Sequence, residues 1–112
     1  MATMSKAQAI LARLHTEIGG GAYTHETIEF VKTATSANGS LLVAAGTEAA
    51  VADAALVVAI LDCPEIDLYE VGDTIVTRKA VRGVVANYDV IQFSDAAYDG
   101  ETLGLDASIV IQ

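Results

Sequence analysis

The chain has 112 residues, of which 53% are hydrophobic but only 5% aromatic, and its formal net charge is -9 from fifteen acidic and six basic residues. This length predicts one domain, and the shortage of cationic side chains argues against binding to nucleic acid. The longest apolar run, residues 54–61, is far shorter than the roughly 20 residues that cross a bilayer, so neither a membrane span nor a secretory signal is expected.

The first 21 residues are predicted to form an N-terminal arm that contains an amphipathic helix. Ser5 is a suitable N-cap, and three glycines at 19–21 end the pattern and predict a hinge. A helix of about 14 residues is marginal alone in water, so its stripe should contact its own domain or another subunit. The apolar residues of that stripe recur at the three-to-four spacing of one helical face: Ala7, Ile10, Leu11, Leu14 and Ile18.

Residues 22–112 are predicted to form a compact, mainly β domain of barrel or sandwich type with short strands. Residues 23–33 are rich in β-branched and aromatic side chains, and Asn38-Gly39 is a strong turn signal, which together predict a hairpin over 28–43. The Ala-rich segment 44–55 fits either a loop or a helical turn.

The second half of the chain supplies further short strands. The apolar run 56–61 predicts a strand buried on both faces, which Pro64 ends. In the run 74–86, Gly83 predicts a bulge or a bend. Residues 90–93 and 107–111 complete a spacing that favours a barrel or sandwich over a βαβ fold.

The sequence contains no recognisable pattern of catalytic or ligating residues. His15 and His25 lack the neighbours that a zinc site needs, and the acidic stretches 65–73 and 95–101 lack the calcium-loop pattern. Cys63, the single cysteine, is expected to behave as a small hydrophobe. We therefore expect a protein that is not an enzyme and has no cofactor, metal or small-molecule substrate.

The segment 23–30 follows the predicted hinge and has strong β propensity. A hinged, strand-forming arm suits β-augmentation, in which it adds to the sheet edge of a partner. The same residues also suit an ordinary first strand of this domain. The sequence leaves both interpretations open.

Several segments together resemble the lambda-like bacteriophage head decoration, or capsid cement, proteins. The resemblance covers roughly residues 22–112 and rests on order, spacing and hydrophobic pattern. The segments that carry it are an aromatic-led arm at 23–30, early strands at 41–47 and 54–61, and later parts at 81–87, 89–93 and 105–111.

The resemblance implies a non-enzymatic virion protein that binds the outer surface of the expanded phage capsid as trimers and stabilises the head. The implied partners are the major capsid protein and the chain itself, as a homotrimer, and synthesis would take place in the host cytoplasm. The predicted helix departs from the disordered polar arm of this family, which leaves its attachment mode open. The resemblance assigns capsid binding to the arm residues Tyr23, Thr24, His25, Thr27, Ile28 and Phe30.

Two alternatives to a decoration protein fit the same composition. One is another phage structural component, such as a tail, joining or fibre-associated protein. The other is a small β-barrel protein-binding module, for which residues 71–76 form a generic barrel turn. Location on the virion separates the first alternative from the decoration role, and a small ligand that co-purifies would favour the second.

Overall fold

The computed structural model describes residues 8–13 and 24–112, which form two β-sheets and two short 3-10 helices, at Val51–Leu56 and Ile66–Leu68. No α-helix occurs in these two stretches. The strands in chain order are β1 (Ile10–Arg13), β2 (His25–Val31), β3 (Leu41–Val43), β4 (Val57–Asp62), β5 (Thr74–Ala80), β6 (Val84–Ala86) and β7 (Val110–Ile111).

The larger sheet has four antiparallel strands in the order β2-β5-β4-β3, and the smaller has three in the order β1-β6-β7. In the smaller sheet β1 runs antiparallel to β6, whereas β7 runs parallel to it. The prediction of a small, mainly β domain is confirmed. The closed-barrel alternative is wrong, because neither sheet closes on itself.

The predicted N-terminal helix is wrong at Ile10 and Leu11, because both residues lie in β1. Ile10 pairs with Ala86 of β6 and packs against the core. A short helix is marginal without packing, so the backbone partners that β6 offers outweigh the helical spacing. Leu14, Ile18 and the predicted glycine hinge lie outside the described residues.

Strand β4 separates two clusters of buried side chains. Ile60 belongs to the cluster that joins the larger sheet to β6, and Leu61 belongs to a second cluster on the opposite face. Both side chains are fully buried. The prediction of a strand buried on both faces is confirmed for residues 57 and 59–61. Leu56 lies in the first 3-10 helix and is 61% exposed, and Val58 is exposed where the pairing with β3 is irregular.

The predicted hairpin over 28–43 is wrong, although its turn forms. Gly39 has a φ of 100°, and its N–H donates to the carbonyl of Leu61 at 2.9 Å. Asn38 Oδ1 accepts from the Cys63 N–H at 2.9 Å, which fastens the turn to the end of β4. The strands on either side of the turn, β2 and β3, lie at opposite edges of the sheet with β5 and β4 between them.

Of the remaining predictions, the bend at Gly83 is confirmed, whereas the strands at 90–93 and 107–111 form only in small part or not at all. Gly83, with a φ of 66°, lies at the bend where the chain passes from β5 in one sheet to β6 in the other. In the segment 44–55, residues 44–50 form a loop and residues 51–55 belong to the first 3-10 helix. Residues 90–93 do not form a strand, because Gln92 makes only isolated bridges, and of 107–111 only Val110–Ile111 is strand.

Candidate protein-docking edge

Strand β2 is an edge of the larger sheet. All seven of its residues pair with β5 on one side, from His25 opposite Ala80 to Val31 opposite Thr74. On its other side, no strand of the described part of the chain is hydrogen-bonded to it. The strand contains neither a proline nor a bulge, which are two of the devices that proteins use to block pairing at an exposed edge.

The hydrogen bonds at the ends of the β2–β5 ladder show which backbone groups point outward. Lys32 N–H donates to the Asp73 carbonyl at 2.9 Å, and Val81 N–H donates to the Thr24 carbonyl at 2.8 Å. Hydrogen-bonded pairs alternate along an antiparallel ladder, so the even-numbered residues of β2 bond to β5. The N–H and C=O groups of Thr27, Glu29 and Val31 therefore point away from β5.

The side chains of β2 alternate between the core and solvent, as expected for a strand that covers one cluster. Phe30 is only 3% exposed and belongs to the second cluster, and Ile28 packs against it. Thr27, Glu29 and Val31 face solvent. The hydrophobic burial of Phe30 and Ile28 fixes which face of β2 is turned outward.

The exposed sides of β2 and β5 form a surface that we call the outer face. Val31 and Val76 are 53% and 67% exposed, and Val76 lies opposite Glu29 in the ladder. Arg78 lies opposite Thr27 and places its guanidinium 3.8 Å from Asp62 Oδ2. The outer face therefore combines apolar area with both signs of charge, and it consists of Thr27, Glu29, Val31, Thr74, Val76 and Arg78.

His25 anchors the start of β2 to β4. Its Nε2 lies 2.9 Å from Asp62 Oδ2, and its Nδ1 lies 2.8 Å from the Thr24 hydroxyl. An Nε2–H that donates to the carboxylate leaves Nδ1 to accept from Thr24, so the neighbours indicate this tautomer. The set of hydroxyl, imidazole and carboxylate is that of a hydrolase, but Thr24 is buried. The network connects the start of β2 to the end of β4.

The structure divides the predicted arm residues between the core and the edge. Thr24 and Phe30 are buried, Ile28 is half-buried, and only Thr27 is well exposed. Tyr23 lies outside the described residues. From residue 25 onward this segment is a strand of the domain's own sheet, which is the second of the two interpretations that the sequence left open.

Five residues of the outer face were missing from the sequence-based site. Glu29 and Val31 could have been found, because they alternate with Ile28 and Phe30 at the period of a strand. Thr74, Val76 and Arg78 could not, because their position beside β2 depends on the register with β5. The predicted stripe residues Ile10 and Leu11 lie in β1, where Leu11 is 45% exposed.

An open groove of about 420 Å³ lies at the C-terminal end of β5. Its charged lining alternates in sign: Lys79 Nζ lies 3.8 Å from Glu26 Oε1, and Arg82 and Asp106 line it further along. Hydrogen bonds from the Ser108 hydroxyl and N–H hold the pKa of Asp106 below its usual range. The lining therefore includes two basic and two acidic side chains.

The other chemistry-bearing groups that the structure describes do not assemble into a site. Cys63 is fully buried, and burial raises the pKa of its thiol, as expected for a small core residue. Among residues 8–13 and 24–112, no three His, Cys, Asp or Glu side chains converge as a metal would require. The same residues include no helix of the length and apolarity that would span a membrane.

Comparisons with known proteins identify no relative of this chain. The chain matches no protein-family model, no curated protein and no solved structure. The edge strand and the surface around it are therefore the features of the molecule that bear on its function.

Proposed function

We propose that this chain is a non-enzymatic virion structural protein that binds the outer surface of the expanded phage capsid as trimers and stabilises the head. The observation that supports docking is the outward-pointing backbone of β2 at Thr27, Glu29 and Val31. An exposed strand edge offers hydrogen bonds that an extended segment of another protein can complete. The capsid as target comes from the resemblance in strand order and spacing.

Charge and composition support an outer-shell role. A net charge of -9 would not draw the protein towards packaged DNA. Its buried residues are largely Ala, Val, Ile and Leu with two Phe, so contacts within a lattice would add to the stability of the domain. A protein that binds only the assembled shell stabilises that shell by mass action.

The same edge supports a second candidate, which is a protein-binding module or another phage structural component of the tail, joining or fibre type. In these roles β2 would pair with a strand of a different partner. Fractionation of virions into heads and tails separates the two proposals, because a decoration protein sediments with heads alone.

Co-sedimentation with capsids tests the proposed function. Purified wild-type chain is mixed with unexpanded and with expanded shells of its phage, and saturable binding to expanded shells is expected. Absence of binding to both shells would overturn the capsid proposal.

Two substitutions at Thr27 test the role of the edge in the same assay. Thr27→Pro removes the N–H that points outward, and Thr27→Ala keeps it. We expect the proline variant to bind roughly tenfold more weakly, since a lost hydrogen bond is worth about 1 kcal/mol, and the alanine variant to bind like the wild type. Equal binding by both variants would remove the β2 edge from the docking mechanism.

A further inference from the structure

We propose that Asn38 is a site of spontaneous deamidation that the fold protects, so that only chains in which the turn at Asn38-Gly39 has opened become modified. The reacting groups are the side-chain amide of Asn38 and the backbone N–H of Gly39. The reaction needs water but neither an enzyme nor a cofactor. This inference stands on the turn alone and does not depend on the capsid as target.

The chemistry of an Asn-Gly sequence is an intramolecular acyl transfer. The backbone nitrogen of Gly39 bonds to Cγ of Asn38 and gives up its proton, while the bond from Cγ to Nδ2 breaks and that nitrogen leaves with the proton as ammonia. Glycine favours this ring closure because it has no Cβ and leaves the backbone free to turn. Water then opens the cyclic imide at either carbonyl, which gives aspartate or isoaspartate at position 38.

The fold holds both reacting groups in hydrogen bonds. Gly39 N–H donates to the Leu61 carbonyl at 2.9 Å, and Asn38 Oδ1 accepts from the Cys63 N–H at 2.9 Å. The first bond must break because the nitrogen has to turn from Leu61 towards the side chain. The second must break because it fixes the position of Cγ. The turn therefore has to separate from the end of β4 before the ring closes.

Further hydrogen bonds hold the peptide groups on either side of the reacting one. The Gly39 carbonyl accepts from the Gln92 N–H at 3.1 Å, and the Ser40 carbonyl accepts from the Leu61 N–H at 2.9 Å. The Ser40 side chain is fully buried, and its hydroxyl accepts from the Ala37 N–H at 2.8 Å. Opening of the turn therefore requires several interactions to break together, which keeps the open state rare.

The same turn requires glycine at position 39. Gly39 has a φ of 100°, which residues with a Cβ rarely adopt. A Cβ there would lie 2.9 Å from the carbonyl oxygen of Val90, which belongs to the backbone and cannot rotate away. The geometry that joins the turn to its neighbours therefore creates the reactive sequence, and the hydrogen bonds of that geometry also protect it.

The two products differ in their effect on the turn. Aspartate keeps an oxygen in the place of Asn38 Oδ1, so the Cys63 N–H retains its acceptor. Isoaspartate adds a methylene carbon to the main chain, which shifts the Gly39 N–H relative to the Leu61 carbonyl. A chain that carries isoaspartate cannot rebuild the same turn, so its modification makes the opening irreversible.

The rate of deamidation in the full chain tests the protection. Wild-type protein is incubated at mildly alkaline pH in denaturing guanidinium chloride or in the same concentration of sodium chloride, and mass spectrometry of its peptides measures conversion at position 38. We expect the folded protein to react at least roughly tenfold more slowly, because two hydrogen bonds worth about two- to twelvefold each must break first. Equal rates would overturn the protection, and no conversion of the unfolded chain would overturn the site.

Two serine variants separate opening of the turn from unfolding of the whole domain. Ser40→Ala removes the acceptor of the Ala37 N–H beside the reactive peptide. Ser108→Ala removes a matching acceptor, that of the Gly83 N–H at 2.8 Å, at the bend between the two sheets. Under conditions where circular dichroism shows both variants folded, we expect Ser40→Ala to react about two- to twelvefold faster than the wild type, and Ser108→Ala to match the wild type. Equal rates for the two variants would overturn protection by the turn.

The stability of the separated products tests the effect of isoaspartate. Chains with isoaspartate at position 38 are separated by chromatography and compared with the Asn38→Asp variant in guanidinium unfolding. We expect the unfolding equilibrium constant of the isoaspartate chains to be roughly tenfold larger, since they lose the hydrogen bond from the Gly39 N–H. The Asn38→Asp variant should stay close to the wild type. Equal stability of the two chains would overturn the irreversible step.

Discussion

Gly104 occupies a position where the backbone leaves no room for a side chain. A Cβ atom there would lie 2.5 Å from the carbonyl oxygen of Ala55 and 3.0 Å from that of Val57. Both oxygens belong to the backbone where the first 3-10 helix passes into β4, so they cannot rotate away as a flexible side chain would. The C-terminal segment therefore approaches the larger sheet closely at residue 104.

We predict that Gly104→Ala lowers the free energy of unfolding by about 1–3 kcal/mol, the usual cost of overpacking. Urea denaturation followed by circular dichroism measures this cost. Thr102→Ala, at an exposed position two residues away, is the control and should change the stability by less than about 0.5 kcal/mol. A Gly104→Ala variant as stable as this control would show that the segment moves aside freely.

Strand β2 has two sides with different tolerance of substitution. The N–H of Ile28 bonds to β5, whereas the N–H of Thr27 points outward, as the alternation from Thr24 to Lys32 requires. Proline is accepted in an edge strand where its missing N–H would face solvent, and not where it would face a neighbouring strand. The same substitution at adjacent positions therefore distinguishes an edge strand from a central one.

We predict that Ile28→Pro lowers the free energy of unfolding by about 1–3 kcal/mol more than Thr27→Pro, since only the former leaves a carbonyl of β5 without its partner. Thermal and urea unfolding of the two variants at the same low concentration measure the difference. Thr27→Ala and Ile28→Ala serve as side-chain controls. If the two proline variants lose equal stability beyond these controls, both sides of β2 are bonded within the monomer.

At the scale of the whole molecule, β4 connects two clusters of buried side chains. Ile60 contacts the cluster that extends into the smaller sheet, and its neighbour Leu61 contacts the cluster beneath β2 and β5. Tyr98 packs against the first cluster and Tyr69 against the second. Because adjacent residues of one strand support both clusters, neither cluster can lose its packing without disturbing the other.

We predict that Ile60→Ala and Leu61→Ala each lower the free energy of unfolding by about 2–5 kcal/mol, and that each variant still unfolds in one transition. The chain has no tryptophan, so tyrosine fluorescence and far-UV circular dichroism are the two probes. Coincident transitions by both probes are expected. Separate transitions in either variant would mean that the two clusters unfold independently.

The sequence by itself determined the β-rich class, the central buried strand and the bend at Gly83. These features depend on local signals: a run of apolar residues that fits both faces of a strand, and a glycine that adopts a positive φ. Glu29 could also have been identified locally, because strand alternation turns it outward once Phe30 is placed in the core.

Only the tertiary structure decided which strands are neighbours. Residues 10 and 11 have helical spacing, but β6 supplies backbone partners that a lone short helix lacks. The turn at Asn38-Gly39 formed as predicted, yet it joins strands at opposite edges, because β5 and β4 occupy the positions between them. The outer face likewise exists only through the register of β2 with β5. Hydrogen bonds between distant segments decide such pairings, and no local pattern in the chain specifies them.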